Sequence, residues 1–322
     1  MKRRKGEVFQ KYGTAVILAL LFVFFALRTE TFLSVSNIWN MLRQTAVTGI
    51  ISLGMTMAML TGGIDLSVSA VVAISSVTCS MCMVNMKLNM WVAILIALLA
   101  GLAAGFVNGL FITYIKIPPL IATLGTQTAI RGLAYIMTGG YTVYGFPKAF
   151  DFIGKGYIAG IPVPVIILVI VLIIGWYVIN KTKFGRYLYA IGGNSEASRL
   201  SGINVNRRLV MTYAISGGLA ALAGIIELSR LSSGQPNAGE GYEMSAITAV
   251  VLGGISVSGG EGKFSGVVFG ILIMGILSSG LIMMNVSTYY QQLIKGLVLL
   301  FAVSIDQILK LNLLSKSSRV RS

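Results

Sequence analysis

An all-α, polytopic membrane helix bundle of about ten transmembrane helices is the fold class this sequence predicts, and three observations lead to it. Of the 322 residues, 56% are apolar and only 11% are charged, against roughly 45–50% and about 25% in a soluble domain. Apolar runs recur along the whole chain, each close to the roughly 20 residues a helix needs to cross the hydrocarbon core. The 25 Lys and Arg outnumber the 10 Asp and Glu, and they gather at the two ends and in one central stretch. In a soluble chain a net charge of +15 would suggest nucleic acid. Here the distribution follows the positive-inside rule instead, so the expected surroundings are a lipid bilayer and no nucleic acid. Residues 1–322 read as a single transmembrane domain.

The spans fall at about 12–28, 42–61, 65–85, 90–114, 120–139, 163–180, 208–228, 243–258, 264–285 and 289–306, each bounded by charges or by Gly, Pro and Asn clusters. Lys2 to Lys5 followed by Tyr12 to Leu27 resembles the start of a signal peptide, but Phe25 to Thr31 offers no small-x-small cleavage site, so an uncleaved first span is expected. The third span holds Cys79 and Cys82. Without any His or a second Cys pair, they pack inside a helix rather than form a metal or redox site. Gly101, Gly105 and Gly109 form a ladder in the fourth span and Gly262, Gly266 and Gly270 another at the start of the ninth, which lets backbones approach closely in lipid. Arg131 and Lys295 lie deep in spans five and ten, at about 2.5–3.5 kcal/mol each unless paired, and spacing reveals no partner for either. The eighth span is short, which leaves room for nine spans or for a re-entrant segment.

With the N-terminus inside, one side collects Lys2, Arg3, Arg4, Lys5, Lys11, Lys116, Lys181, Lys183, Arg186, Arg199, Arg207, Arg208, Lys263, Lys310, Lys316, Arg319 and Arg321, while the other receives Arg28, Arg43, Lys87, Lys148, Lys155 and Arg230. Seventeen against six places both termini in the cytoplasm. The longest loop on that side, 181–208, carries six basic residues and one acid, Glu196. Asn194 or Ser195 can cap a short helix with Glu196 in its first turn. Ala197, Leu200 and Ile203 recur along one side, and Gly202 ends it. Spacing alone fits a protein-docking element and a segment lying on lipid headgroups equally well.

Gly63-Ile64-Asp65-Leu66-Ser67 echoes Gly241-Tyr242-Glu243-Met244-Ser245. Both place an acid and a Ser just before a long apolar helix, as structural caps do. The ten-span topology puts the two on opposite sides of the membrane, the parity of an inverted repeat matching spans two to five with seven to ten.

No catalytic constellation is present: the chain has no His, few acids and no nucleophile motif. The run Gly259-Gly260-Glu261-Gly262-Lys263-Phe264 fails as a phosphate loop, because Val257 stands where the first Gly is needed and Phe264 where Ser or Thr must hold magnesium. The acids Asp65, Glu227, Glu240, Glu243 and Glu261 lie near predicted helix ends rather than at mid-membrane, which argues against an ion-coupled carrier. The polar residues within the spans are mostly neutral. Asn108, Thr123, Thr126, Gln127, Ser278, Ser279, Asn285 and Gln291 are candidates for lining a pathway taken by an uncharged polyol, although each taken singly also suits a helix-to-helix hydrogen bond.

Several runs together carry a family resemblance. They are Gly54-Met55-Thr56, Thr61-Gly62-Gly63-Ile64-Asp65-Leu66-Ser67-Val68-Ser69, Ile121-Ala122-Thr123-Leu124-Gly125, Phe184-Gly185-Arg186-Tyr187-Leu188-Tyr189-Ala190-Ile191-Gly192-Gly193-Asn194 with Glu196-Ala197 and Arg199-Leu200-Ser201-Gly202-Ile203, and Ala249-Val250-Val251-Leu252-Gly253-Gly254 with Gly259-Gly260 and Gly262. The chain from about Phe32 onward resembles the permease subunits of bacterial ribose-type sugar importers of the ATP-binding-cassette class. One departure is Ser69, where the family usually has Gly, and it bears on a tight helix contact.

The resemblance implies a multi-pass protein of the bacterial inner membrane that forms a homodimer or pairs with a similar permease. It implies a cytoplasmic ATPase that holds ATP and magnesium, an extracytoplasmic sugar-binding protein that delivers the solute, and no cofactor or metal on this chain. It makes 194–202 the coupling helix, with Asn194, Glu196, Ala197, Arg199, Leu200 and Gly202 facing the ATPase. The implied solute is a monosaccharide, ribose or a related pentose, with another sugar, a nucleoside or a sugar-derived signal as alternatives. A stand-alone secondary carrier, driven by an ion gradient, and a membrane scaffold without solute flux are the rival classes.

Overall fold

The computed structural model describes residues 2–318; Arg319 and Arg321 lie outside the described residues, as do the side chains of Lys2, Arg3, Arg4, Lys5, Lys11, Lys310 and Lys316. The helices are α1 (Lys2–Arg28), α2 (Val35–Leu60), α3 (Val68–Val84), α4 (Met90–Thr113), α5 (Pro119–Thr138), α6 (Asp151–Lys155), α7 (Val163–Lys181), α8 (Lys183–Gly193), α9 (Ser195–Leu200), α10 (Val205–Leu231), α11 (Tyr242–Leu252), α12 (Phe264–Met283) and α13 (Thr288–Ser318). A two-residue antiparallel hairpin, β1 (Tyr157–Ile158) with β2 (Ile161–Pro162), follows α6. The chain is thus an all-α membrane bundle. By length and composition α4, α7, α10 and α12 can each cross a membrane.

Local chemistry sets the ends of these helices. Ser34 accepts from the Asn37 amide (3.2 Å), Asn89 from Trp91 (2.9 Å) and Asn204 from Arg207 (3.0 Å), each capping the helix that follows. Pro119 and Pro164 stand in the first turns of α5 and α7, where the missing N–H would have no partner anyway.

A helix falls within every one of the ten apolar stretches, with two differences in kind. The stretch 243–258 is helical only to Leu252, and at 1.5 Å per residue α11 is about 16 Å long, half a bilayer core. Residues 253–263 form a Gly-rich loop, because Gly254, Gly259, Gly260 and Gly262 take positive φ that helices exclude. The loop 181–208 also holds more structure than its capping signal suggested. Thr182 caps α8, accepting from the Gly185 amide (3.3 Å), and α8 runs directly into the expected short helix.

The packing has a regular plan. α10 packs on α2, α3 and α4, and α2 packs on α10, α11 and α12; α3 meets α4 and α5, as α11 meets α12 and α13. Exchanging α2 with α10, α3 with α11, α4 with α12 and α5 with α13 maps these relations onto themselves.

Both glycine ladders serve close approach, the second without one predicted member. A Cβ at Gly105 would overlap the Tyr213 carbonyl, one at Gly101 would lie 2.7 Å from the Gly217 carbonyl oxygen, and one at Gly109 2.6 Å from Val210 Cα, so α4 lies backbone to backbone on α10. Gly266 and Gly270 play the same part against Gly253 and Ala249. Gly262 precedes α12 with φ +127° and belongs to the loop instead.

Because α10 packs on α2, α3 and α4, Gly105→Leu should be among the costliest substitutions. The introduced side chain has to displace main chain, which costs at least about 1–3 kcal/mol. Thermal unfolding of the purified chain in detergent should show a clear drop, whereas Gly296→Ala, which meets open space, should not lower the midpoint.

Candidate functional site

Two breaks in the helices organise the polar interior. The first, residues 61–67, joins α2 to α3. Gly62 turns the chain with φ +81°, and Gly63 is required because a Cβ there would overlap the Tyr213 hydroxyl. The break then presents Asp65, whose exposure is 0%. Its Oδ1 accepts from the Ser67 amide (3.1 Å) and the Ser67 hydroxyl (2.6 Å), and its Oδ2 accepts from the Ser216 hydroxyl of α10 (2.7 Å). Three donors thus serve the two oxygens of this buried carboxyl group. Ser67 Oγ accepts in turn from Asn108 Nδ2 (2.8 Å), and Asn108 Oδ1 accepts from the Thr126 hydroxyl (2.6 Å). Thr123 Oγ1 donates to main-chain oxygens, lying 3.1 Å from Ile64 O and 2.9 Å from Pro119 O.

The second break, residues 232–241, leads from α10 to α11. Gly234 pairs with Val143 through two main-chain hydrogen bonds (2.9 and 2.8 Å) and presses on Ser80; a Cβ at Gly239 would lie 2.8 Å from Val72 and 3.0 Å from the Ser69 carbonyl oxygen. Ser80 to Val72 spans eight residues of α3, so this non-helical stretch runs about 12 Å alongside the helix. Ser233, Gly234, Pro236, Ala238 and Gly239 are buried. The buried backbone groups there need partners within the protein. Arg131 Nη1 supplies what is missing, donating to the carbonyls of Pro236 (3.0 Å) and Ala238 (2.7 Å). At the upper end Glu227 accepts a two-pronged bond from Arg230 (2.9 and 2.8 Å) and another from the Tyr242 hydroxyl (2.8 Å).

One face of α5 touches both breaks. Thr123, Thr126, Gln127 and Arg131 recur at three- and four-residue steps, and Gln127 is the link. Its Nε2 donates to Ser69 Oγ of α3 (3.0 Å) and lies 3.4 Å from Glu243 Oε1 of α11. Glu243 is 9% exposed and its second oxygen has no hydrogen-bond partner. Ser69, which departs from the family pattern, is therefore accommodated: its hydroxyl is fully buried and paired.

The residues singled out in sequence do not all converge. Asn108, Thr123, Thr126 and Gln127 share the seam just described. Ser278 and Ser279 lie buried on α12, where the Ser279 hydroxyl stands 3.4 Å from Asn37 Oδ1 of α2. Asn285 sits in the α12–α13 turn with φ +54°, and Gln291 Nε2 donates to the Val286 carbonyl (2.8 Å). Asp65 caps its turn through the Ser67 amide. Glu243 occupies the first turn of α11 but bonds no amide there, Gly241 being the residue at the N-cap. Lys295 is half-buried on α13 and makes no ion pair among the described residues. Sequence reasoning missed Ser216, for which a lone hydroxyl gives no signal, and registered Ser69 as a departure from the family pattern without finding its partner Gln127. It registered Arg131 as a cost without finding the carbonyls that justify it.

Asn194 Oδ1 accepts from the Ala197 amide (2.9 Å) and so caps α9, with Glu196 in its first turn and Arg199 in its last. Ser201 follows as C-cap and Gly202 turns the chain with φ +82°. Only Ser198 of this helix is buried, and Leu200 is 83% exposed. Ala197 and Leu200 therefore point outward rather than into the bundle, whereas Ile203, beyond the helix, is partly buried.

The family described as branched-chain amino acid transport system / permease component matches residues 37–303. The chain belongs to this family. Among its permeases, the ribose import permease protein of Bacillus subtilis is 47% identical over 302 residues, covering 93% of this chain and 94% of the relative. The ribose import permease of Haemophilus influenzae is 44% identical over 94% and 95% of the two chains, and the L-arabinose transport system permease of Escherichia coli is 39% identical over 94% and 92%. No solved structure matches the chain.

Replacing Arg131 by Met leaves two buried carbonyls unpaired, at about 1–3 kcal/mol per group. The thermal midpoint in detergent should fall by at least several degrees. Arg131→Lys, which keeps a donor, should lose less, and equal losses in the two variants would contradict this role.

Proposed function

We propose that this chain is the membrane-spanning subunit of an ATP-binding-cassette importer that passes a monosaccharide, ribose before others, across the bacterial inner membrane. The observation that carries this reading is near full-length similarity to ribose import permeases, at 44–47% identity against 39% for the arabinose permease. The neutral side chains Asn108, Thr123, Thr126 and Gln127 at the α3–α4–α5 seam agree with it. Hydroxyls and amides exchange hydrogen bonds with sugar hydroxyls without trapping an ion.

In this reading the chain crosses the membrane about ten times with both ends in the cytoplasm. α8 and α9 then stand on the cytoplasmic face, where a partner ATPase carrying ATP and magnesium seats against Glu196, Arg199 and Leu200. An extracytoplasmic binding protein delivers the sugar to the opposite face. The exchange of packing roles between α2–α5 and α10–α13 supports an inverted repeat, with α3 and α11 as corresponding broken helices. A second permease copy faces the side of α5 that carries Gly125 and Gly132, where nothing within this chain approaches. Nucleotide binding and hydrolysis in the ATPases shift such a paired bundle between two packings, open outward and open inward.

The test is a reconstituted complex of permease, ATPase and binding protein in vesicles. Wild type should take up ribose on ATP addition, with ribose outcompeting L-arabinose. Leu200→Asp, which puts a charge on the most exposed apolar residue of α9, should abolish copurification of the ATPase and with it uptake. Uptake without any ATPase, or full ATPase retention by Leu200→Asp, would refute the reading.

A further inference from the structure

Where α8 ends, three stretches of main chain meet with no side chain between them. A Cβ on Gly192 would overlap the carbonyl of Leu60, the last residue of α2, and the amide of Gly260. That same carbonyl accepts from the Gly260 amide (3.0 Å). A Cβ on Gly260 would lie 2.6 Å from the Gly193 nitrogen, and one on Gly259 2.5 Å from the Gly62 nitrogen. Both glycines sit at positive φ, +72° and +82°. The Tyr189 hydroxyl, one turn back on α8, donates to the Gly262 carbonyl (3.1 Å). Burial raises this hydroxyl above the ordinary tyrosine range, so it keeps its proton at physiological pH.

We propose that Gly192 makes this junction a rigid joint, through which displacement of the α8–α9 arm reaches the first helix break and the α11–α12 loop together. Side-chain contacts yield by rotamer changes, whereas main chain on main chain has none to yield, and packed interiors pass such strain on. One neighbour of Gly192 is the turn that holds Asp65. The other is the loop that ends α11, whose far end is the second break. A single arm thereby grips both broken helices. The inference rests on the reading of α9 as the ATPase-facing element, and Gly192 acts as a positioning residue within it.

The reporter is Asn237→Cys, placed on an exposed residue of the second break in a chain whose own Cys79 and Cys82 are buried. The full chain with its ATPase in nanodiscs is labelled with a maleimide, with and without ATP. ATP should change the labelling rate by about threefold or more, a coupling of ordinary size. Gly192→Ala should remove that change while the ATPase still copurifies and hydrolyses ATP. Gly193→Ala, whose Cβ meets open space, should behave as the parent. A parent without response, or Gly192→Ala responding fully, overturns the proposal. Should Gly192→Ala fail to accumulate, Tyr189→Phe decides: it keeps the glycine contacts and loses only the tie to Gly262, so its response should be about half that of the parent, and an undiminished response overturns the proposal. Failure of the docking reading shows separately, as an ATPase that copurifies equally well with Leu200→Asp.

Discussion

Backbone that leaves the helix where it is buried has to find its hydrogen bonds within the protein, and this constraint shapes the molecule. Ten residues, 232–241, run unwound beside α3, and their carbonyls at Pro236 and Ala238 are held by Arg131. Seven more, 61–67, are held through the Asp65 carboxylate by Ser67 and Ser216. The first break thus rests on the Asp65 carboxyl group, and the second has two of its carbonyls paired by the Arg131 guanidinium. The guanidinium of Arg131, costly in an apolar span, is what satisfies buried carbonyls of the second break.

The two breaks are not independent. Gln127 touches both Ser69, at the head of α3, and Glu243, at the head of α11. Thr123 and Thr126 tie the same α5 face to the first break and to α4. A seam that joins two half-helices through directional bonds has few continuous deformations and can switch between arrangements instead of creeping. On the proposed importer reading this is where outward- and inward-open states differ, and α8 makes main-chain contact beside the first break at Leu60 and in the α11–α12 loop at Gly260.

Much of the bundle was legible in sequence because hydropathy reports length and position of apolar runs, and the capping of α9 by Asn194 was legible because capping is local. What escaped were features decided across the fold. Residues 253–258 are apolar enough for a span, yet positive φ at Gly254 and Gly259 stops α11 at Leu252. Arg131 shows no partner by spacing because its acceptors are main-chain carbonyls more than a hundred residues away. The candidate pathway residues were chosen by polarity alone, which finds buried hydrogen-bonding side chains but cannot separate the α5 seam from Ser278 and Ser279 on α12. The ladder spacing of Gly105 announces a helix contact, whereas only the fold reveals that Gly192 meets the end of α2 and the loop at Gly260.

The most direct test of this account is amide hydrogen exchange across 232–241 in a lipid nanodisc. The account predicts protection in this unwound stretch approaching that of α10, with selective loss at Pro236–Gly241 in Arg131→Met while α10 and α12 stay protected. Rapid exchange of the stretch in the wild-type chain, or protection unaltered by removal of the guanidinium, would contradict it.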